Sequence, residues 1–405
     1  MDCRSGLQRQ RGQIAIVMAL AITALLGATG VAIDLGFGYS HRRQVQNAAD
    51  AGAVAGALAL GRHIVYKFDG SSVGGVPLTD YTDSMILAEI RNAAAASVPP
   101  YPAASTSPSW PSGGNSTLTA YYMLSETTQG AQVGTVGGSP PDNAVGIRVV
   151  ANLDQPTLFA KVLGSCCQNI TVGGSARAML RPLASYQGAP FIVCGGVSTD
   201  GSFLSAASGQ VGSQTVPTPG SAYHILDTST SPPSINPNFI SPVGGTREYL
   251  IQSSQIGSNN ADCEAGSGFH GNAEQEAACT PVNPPDPVPC SLPGSTGVQA
   301  GPIRNLVAGL PGCNPGNSAN NCVLILPVAN DSTGGGSNAV FNIVTWAPYL
   351  VVEGKGSSTI GGFQCNTNNC HTGKLLGAAM MNGQAGNGTI NPNNPGTFVT
   401  QLVPE

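Results

Sequence analysis

Charged residues are scarce in this chain. Asp, Glu, Lys and Arg make up 9% of its 405 residues, against about 25% in an average globular protein. The net charge of −5 leaves no basic stripe for a phosphate backbone, so nucleic acid is not an expected partner. The few carboxylates form no pair suited to general acid–base work. The histidines stand at His41, His63, His224, His270 and His371, with no two in an H-E-x-x-H arrangement. No glycine-rich phosphate loop ending in Lys occurs. These absences argue against an enzyme, and no cofactor and no small-molecule substrate are expected. Low charge also separates the chain from ordinary disordered sequences, which carry more of it. What is abundant is Gly (54) and Pro (31), a mix that favours short strands joined by many turns.

The second abundance is local. Residues 14–33 carry no charge and follow a leader containing Arg4, Arg9 and Arg11. Twenty apolar residues at about 1.5 Å rise cover about 30 Å, the thickness of a bilayer core. A secretory signal has a shorter apolar core than this. A processed prepilin leader would be cut after Gly12 and would need Glu five residues on, where Val17 stands. An uncleaved anchor is the better reading. The leader arginines outnumber Arg42 and Arg43 on the far flank, which favours a cytoplasmic amino terminus. Asp34, at the outer boundary, is expected to be solvated among headgroups. Beyond it, small or apolar residues at 45, 48, 49, 52, 53, 56 and 60 mark one face of a continuing helix. Ala48, Gly52 and Gly56 form the candidate contact surface, because small side chains at four-residue spacing admit a close neighbour. That neighbour is expected to be the protein's own sheet, with another chain as the alternative.

The rest divides by composition. The reading is residues 1–13 as leader, 14–36 as transmembrane helix, 37–62 as stem helix, 63–185 as an α+β module and 189–405 as a β-rich outer part. Within the module a helix is expected over 79–98, strands over 117–124, 145–153 and 170–181, and a short helix over 156–164. Residues 182–188 read as a hinge. Outer strands are expected over 190–194, 223–226, 249–252, 323–327, 340–352 and 398–403. Ten of the eleven cysteines follow the apolar run, an even number in polar loops, which points to an oxidising compartment and disulfides. Cys365 and Cys370, closing an Asn-rich loop, are the leading pair; adjacent Cys166 and Cys167 call for separate partners. The predicted class is therefore α+β: a long transmembrane and stem helix packed on a small antiparallel sheet, followed by a disulfide-stapled β-rich domain.

Three patterns mimic chemical sites. Asp227, Ser229 and Ser231 match a D-x-S-x-S cation loop, but Pro232 and Pro233 block the helix that must follow. Ser72 sits in a G-x-S-x-G pattern that continues into Gly75-Val76-Pro77 rather than a helix, so it reads as a turn. Cys365, Cys370 and His371 could ligate zinc, yet a disulfide is the default outside the cytoplasm. No catalytic or metal site is assigned.

One stretch is more specific. Arg11-Gly12-Gln13, the apolar run, the V-x-x-D-x-G exit from Val31 to Gly36, and the R-R-x-x-Q-x-A-A-D-A helix from Arg42 to Ala51 resemble the Flp pilus-assembly TadE/TadG-like family of bacterial envelope proteins. A weaker likeness covers a strand, a P-T-x-F-A segment from Pro156 to Ala160, and a return strand. The von Willebrand A-type domain of the large members is not found. The resemblance implies a single-pass protein of the cytoplasmic membrane, its bulk extracytoplasmic, with the membrane and other pilus-assembly or envelope proteins as partners. The alternative is a surface-exposed binding module or adhesin that uses the same anchor outside a pilus system.

Overall fold

The charge-free run and the alanine-rich stretch after it form one helix, α1, over Arg4–Asp69. Its 66 residues span roughly 100 Å. In the computed structural model, residues 4–98 except 74, 110–111, 115–163, 168–185, 322 and 376–404 except 387, 393 and 394 are described, together with the strands named below between 193 and 375. The helix outruns the expected end at 62 because its buried face continues through Leu60, Ile64 and Phe68 at four-residue steps. It stops at Gly70, whose φ of +80° suits a residue without Cβ. The Gly70 amide still donates to the Tyr66 carbonyl, 2.8 Å away.

The second helix, α2, spans Asp83–Ala96, shorter than the expected 79–98. Thr82 caps it, its hydroxyl accepting from the Met85 amide. Ile86, Ile90 and Ala94 lie on one buried face against α1.

A seven-stranded sheet packs on both helices. Its order is Ala378–Met380, Gly396–Val403, Asn169–Ser185, Gly146–Pro156, Thr117–Met123, Gln129–Gln132, with Gln384–Ala385 beside Asn169–Ser185. In Gly146–Pro156 the side chains of Ile147, Val149, Ala151 and Leu153 point into the core in strict alternation. The expected strands at 117–124, 145–153 and 170–181 are thus present, the last two longer than read. The expected helix at 156–164 shrinks to one 3₁₀ turn, Ala160–Leu163.

The carboxy-terminal strand brings a correction. It was expected in the outer part, but Gly396–Val403 pairs antiparallel with the module, Phe398 opposite Pro182 and Val403 opposite Arg177. The chain leaves the first sheet after Ser185 and returns to complete it, so the outer part is an insertion into the module. Residues 182–185, read as part of a hinge, lie inside this paired strand.

The inserted strands form a ten-stranded sheet ordered Ser234–Ile235, Thr218–Asp227, Tyr249–Gln255, Cys370–Leu375, Val340–Glu353, Val323–Thr333, Val193–Val197, Phe203–Ser205, with Thr280–Pro281 paired to Cys290–Pro293 and the latter to Val340–Glu353. It is antiparallel except where Val193–Val197 runs parallel to two neighbours. The sheets meet where the Thr397 hydroxyl donates to the Trp346 carbonyl at 2.9 Å.

Beneath α2 lies a buried carboxylate. Asp83 accepts from the Tyr122 hydroxyl at 2.7 Å and from the amides of Gly134, Val136 and Gly137 at 2.8, 3.1 and 3.2 Å. These bonds fold the 133–138 loop over the start of α2. Burial, then the bond to Asp83, pushes the Tyr122 phenol far above its ordinary range. Tyr122→Phe leaves the three amide bonds in place and is expected to cost about 1 kcal/mol in denaturant unfolding.

Candidate functional site

The site of interest is the joint between the membrane helix and the sheet. Asp34 lies on α1 one turn after Gly30. It was expected to be solvated, but it is 6% exposed. Its carboxylate accepts from three successive amides: Leu158 at 2.9 Å, Phe159 at 3.1 Å and Ala160 at 2.6 Å. These donors open a 3₁₀ turn and have no carbonyl partner of their own within it. A carboxylate there satisfies them and meets the positive end of the backbone dipoles. That is why 157–159 is a loop rather than the first turn of a helix: its amides point at Asp34.

Gly30 completes the contact. A Cβ built on it would stand 2.9 Å from the Phe159 Cβ, so only glycine lets the loop lie this close.

The R-R-x-x-Q-x-A-A-D-A stretch is the second fastening. The Gln46 side-chain amide donates to the Ser175 carbonyl at 2.8 Å and to Asp50 at 2.9 Å. Gly174 lets the strand approach, since a Cβ there would lie 3.0 Å from the Gln46 backbone. Ala48 and Ala49 are fully buried. Gly52 and Gly56 face α2: a Cβ on Gly52 would be 3.4 Å from Ile90, and one on Gly56 2.7 Å from Ile90 and 3.1 Å from Ile147. The stripe of Ala48, Gly52 and Gly56 is therefore buried against elements of the same chain.

A third fastening ties the far end of α1. Asp69 accepts from the amides of Gly377 and Ala378 at 2.6 and 3.3 Å, where the chain returns from the insertion. Burial pushes this carboxyl up from 3.8 to about 6, against the lowering effect of the two amides. Because the folded value lies above the unfolded one, ionisation weakens the folded state. The penalty is absent below pH 3.8 and complete above about 6. Thermal melting of the full chain in micelles is expected to rise as pH falls from 7 to 4, and Asp69→Asn is expected to flatten that slope. Nearby, Arg62, Tyr81, Leu376, Met380 and neighbours line a largely apolar cleft of about 700 Å³.

The remaining candidates lie apart from the joint. Asp227 ends a strand, and Ser229 and Ser231 lie outside the described residues. Among the described residues no group of His, Cys, Asp and Glu is placed to hold a metal. Cys365 also lies outside them, while Cys370 begins the strand Cys370–Leu375. Ser72 belongs to a two-residue strand of a small hairpin. His63 Nδ1 sits 2.8 Å from an Asp80 carboxylate oxygen, a single hydrogen-bonded contact. The amides that define the joint escaped the sequence reading, although the P-T-x-F-A segment carrying them was noticed.

Among the described residues, one helix is long and apolar enough to cross a membrane. Residues 12–59 match the family model for Flp pilus-assembly TadE/G-like proteins. No curated protein and no solved structure matches the chain. The matched segment holds Gly30, Asp34, Gln46, Ala48, Ala49, Gly52 and Gly56, the α1 side of the first two fastenings. The match suggests a context of Flp pilus assembly, and together with the long apolar helix it fits a membrane-anchored protein.

Proposed function

We propose that this chain is a membrane-anchored extracytoplasmic component of Flp/Tad-type pilus assembly that acts through protein contacts rather than catalysis. One observation carries the reading: the segment matching the family is the segment that fastens the membrane helix to the sheet. An unbroken helix held at Asp34, Gln46 and Asp69 moves as one piece with its sheet, which suits a protein that positions partners at the membrane. The amino terminus is cytoplasmic, supported by the leader arginines and by the cysteines downstream of the span. The cysteines of the inserted part are oxidised in pairs, and Cys322, buried at the head of Val323–Thr333, is one of them.

Deleting the gene is expected to abolish piliation, and the full chain to restore it. Alkaline phosphatase fused after residue 404 is expected to be active, and fused within the leader inactive. The reverse pattern sinks the orientation. Peptide mapping without reductant is expected to show linked cysteine peptides.

The second reading, a binding module or adhesin on the same anchor, draws on the size of the ten-stranded insertion beyond the matched segment. Because Gly396–Val403 belongs to the first sheet, the informative deletion removes 193–375 and keeps the carboxy terminus. Loss of attachment with pili intact favours the second reading.

A further inference from the structure

We propose that the 157–163 loop is a second membrane contact, with Leu158 and Phe159 seated in the lipid at the outer end of the span. Depth comes first. Phe159 packs on Gly30, which lies within the charge-free run 14–33, while Asp34 is about 6 Å farther along the helix. The loop therefore stands level with the last turn of the span.

Exposure comes second. Leu158 is 58% and Phe159 47% exposed, although both are large and apolar. On α1, Val31, Ile33, Leu35 and Phe37 are exposed too, so the loop adds to an apolar surface that the helix already presents. Lipid is the occupant that covers such a surface when it continues a membrane span.

Polarity comes third. Non-helical backbone is tolerated at membrane depth only where its polar groups are satisfied within the protein. Here the amides of 158, 159 and 160 turn inward onto Asp34, and the apolar side chains turn outward. The same bonds cover the one charge on α1 between Arg11 and Arg42, His being neutral. Lys161, within the loop, is exposed, and a lysine at this depth can extend its ammonium to anionic headgroups.

The inference rests on the membrane-anchor reading, and carbonate extraction of the wild-type full chain from membranes tests that reading separately. The test of the loop uses the full chain in vesicles of phosphatidylethanolamine and phosphatidylglycerol, with or without bromine on the acyl chains. Phe159→Trp, Leu158→Trp and, as a control in the 133–138 loop over the start of α2, Val136→Trp are each compared with the wild type, whose Trp110 and Trp346 give the background. The added emission from positions 158 and 159 is expected to shift to the blue, to lose most of its intensity in brominated lipid and to resist iodide. The control is expected to behave oppositely. Quenching of 158 and 159 by iodide alone overturns the proposal. So does shielding from both quenchers, since another protein surface then covers the loop. If carbonate releases the wild type, the anchor reading fails and the loop proposal fails with it.

Discussion

Asp34→Ala is expected to free the 157–163 loop from the membrane helix without unfolding the sheet. The substitution removes the acceptor of three amides at once. Left buried, each would cost about 1–3 kcal/mol, so the loop instead swings out until water satisfies them. The net loss is then about 3 kcal/mol, since hydrogen bonds to a charged acceptor are the stronger class. Asp34→Asn keeps the shape but offers one oxygen, and its amide group points donors at donors. It is expected to fall between wild type and Asp34→Ala. Hydrogen exchange on the full chain in micelles reads this directly. Protection at 158–160 is lost in Asp34→Ala, while protection in Gly146–Pro156 stays. Unchanged protection at 158–160 would show that the carboxylate does not hold the loop.

That contact also marks where sequence reading stops. Local apolar patterns made the strand over 145–153 and the helix over 79–98 legible, and in the fold Ile147, Val149, Ala151 and Leu153, and Ile86, Ile90 and Ala94, are the side chains those elements bury. These patterns record which side chains avoid water, and they are local. The partners of Asp34, Asp69 and Asp83 are backbone amides, which every sequence possesses, so nothing in the side chains at 134–137, 158–160 or 377–378 announces an acceptor. An acid at the end of an apolar run reads as solvated for that reason. The carboxy-terminal strand failed differently. It was legible as a strand over 398–403, but strand character does not say which strand it pairs with. Its pairing with Asn169–Ser185 crosses more than two hundred residues, beyond the reach of any local pattern. In the insertion, the longer Val/Ile-rich strands such as Val323–Thr333 were read, while strands of two to four residues, such as Thr280–Pro281 and Phe203–Ser205, carry too few positions for a period to show.

Gly56→Leu is expected to destabilise the fold by about 3 kcal/mol, the upper part of the usual range for overpacking a core. The position leaves no room: a Cβ would stand 2.7 and 2.8 Å from two Ile90 carbons and 3.1 Å from Ile147, wedged between α1, α2 and the sheet at once. Gly52 is looser, its Cβ meeting Ile90 at ordinary contact distance of 3.4 Å, so Gly52→Ala is expected to be tolerated. Gly36 and Gly38 have nothing within 4 Å of a built Cβ, so Leu there leaves the fold intact and adds about 1 kcal/mol of helix propensity. The contrast separates two causes that a piliation assay alone confuses. If Gly56→Leu abolishes pili while lowering the melting temperature, the loss follows from the broken α1–α2 packing and says nothing about a partner. If Gly36→Leu or Gly38→Leu abolishes pili without lowering the melting temperature, the exposed side of the same helix meets another protein. A Gly56→Leu chain that melts like the wild type would show that α1 and α2 are not packed as described.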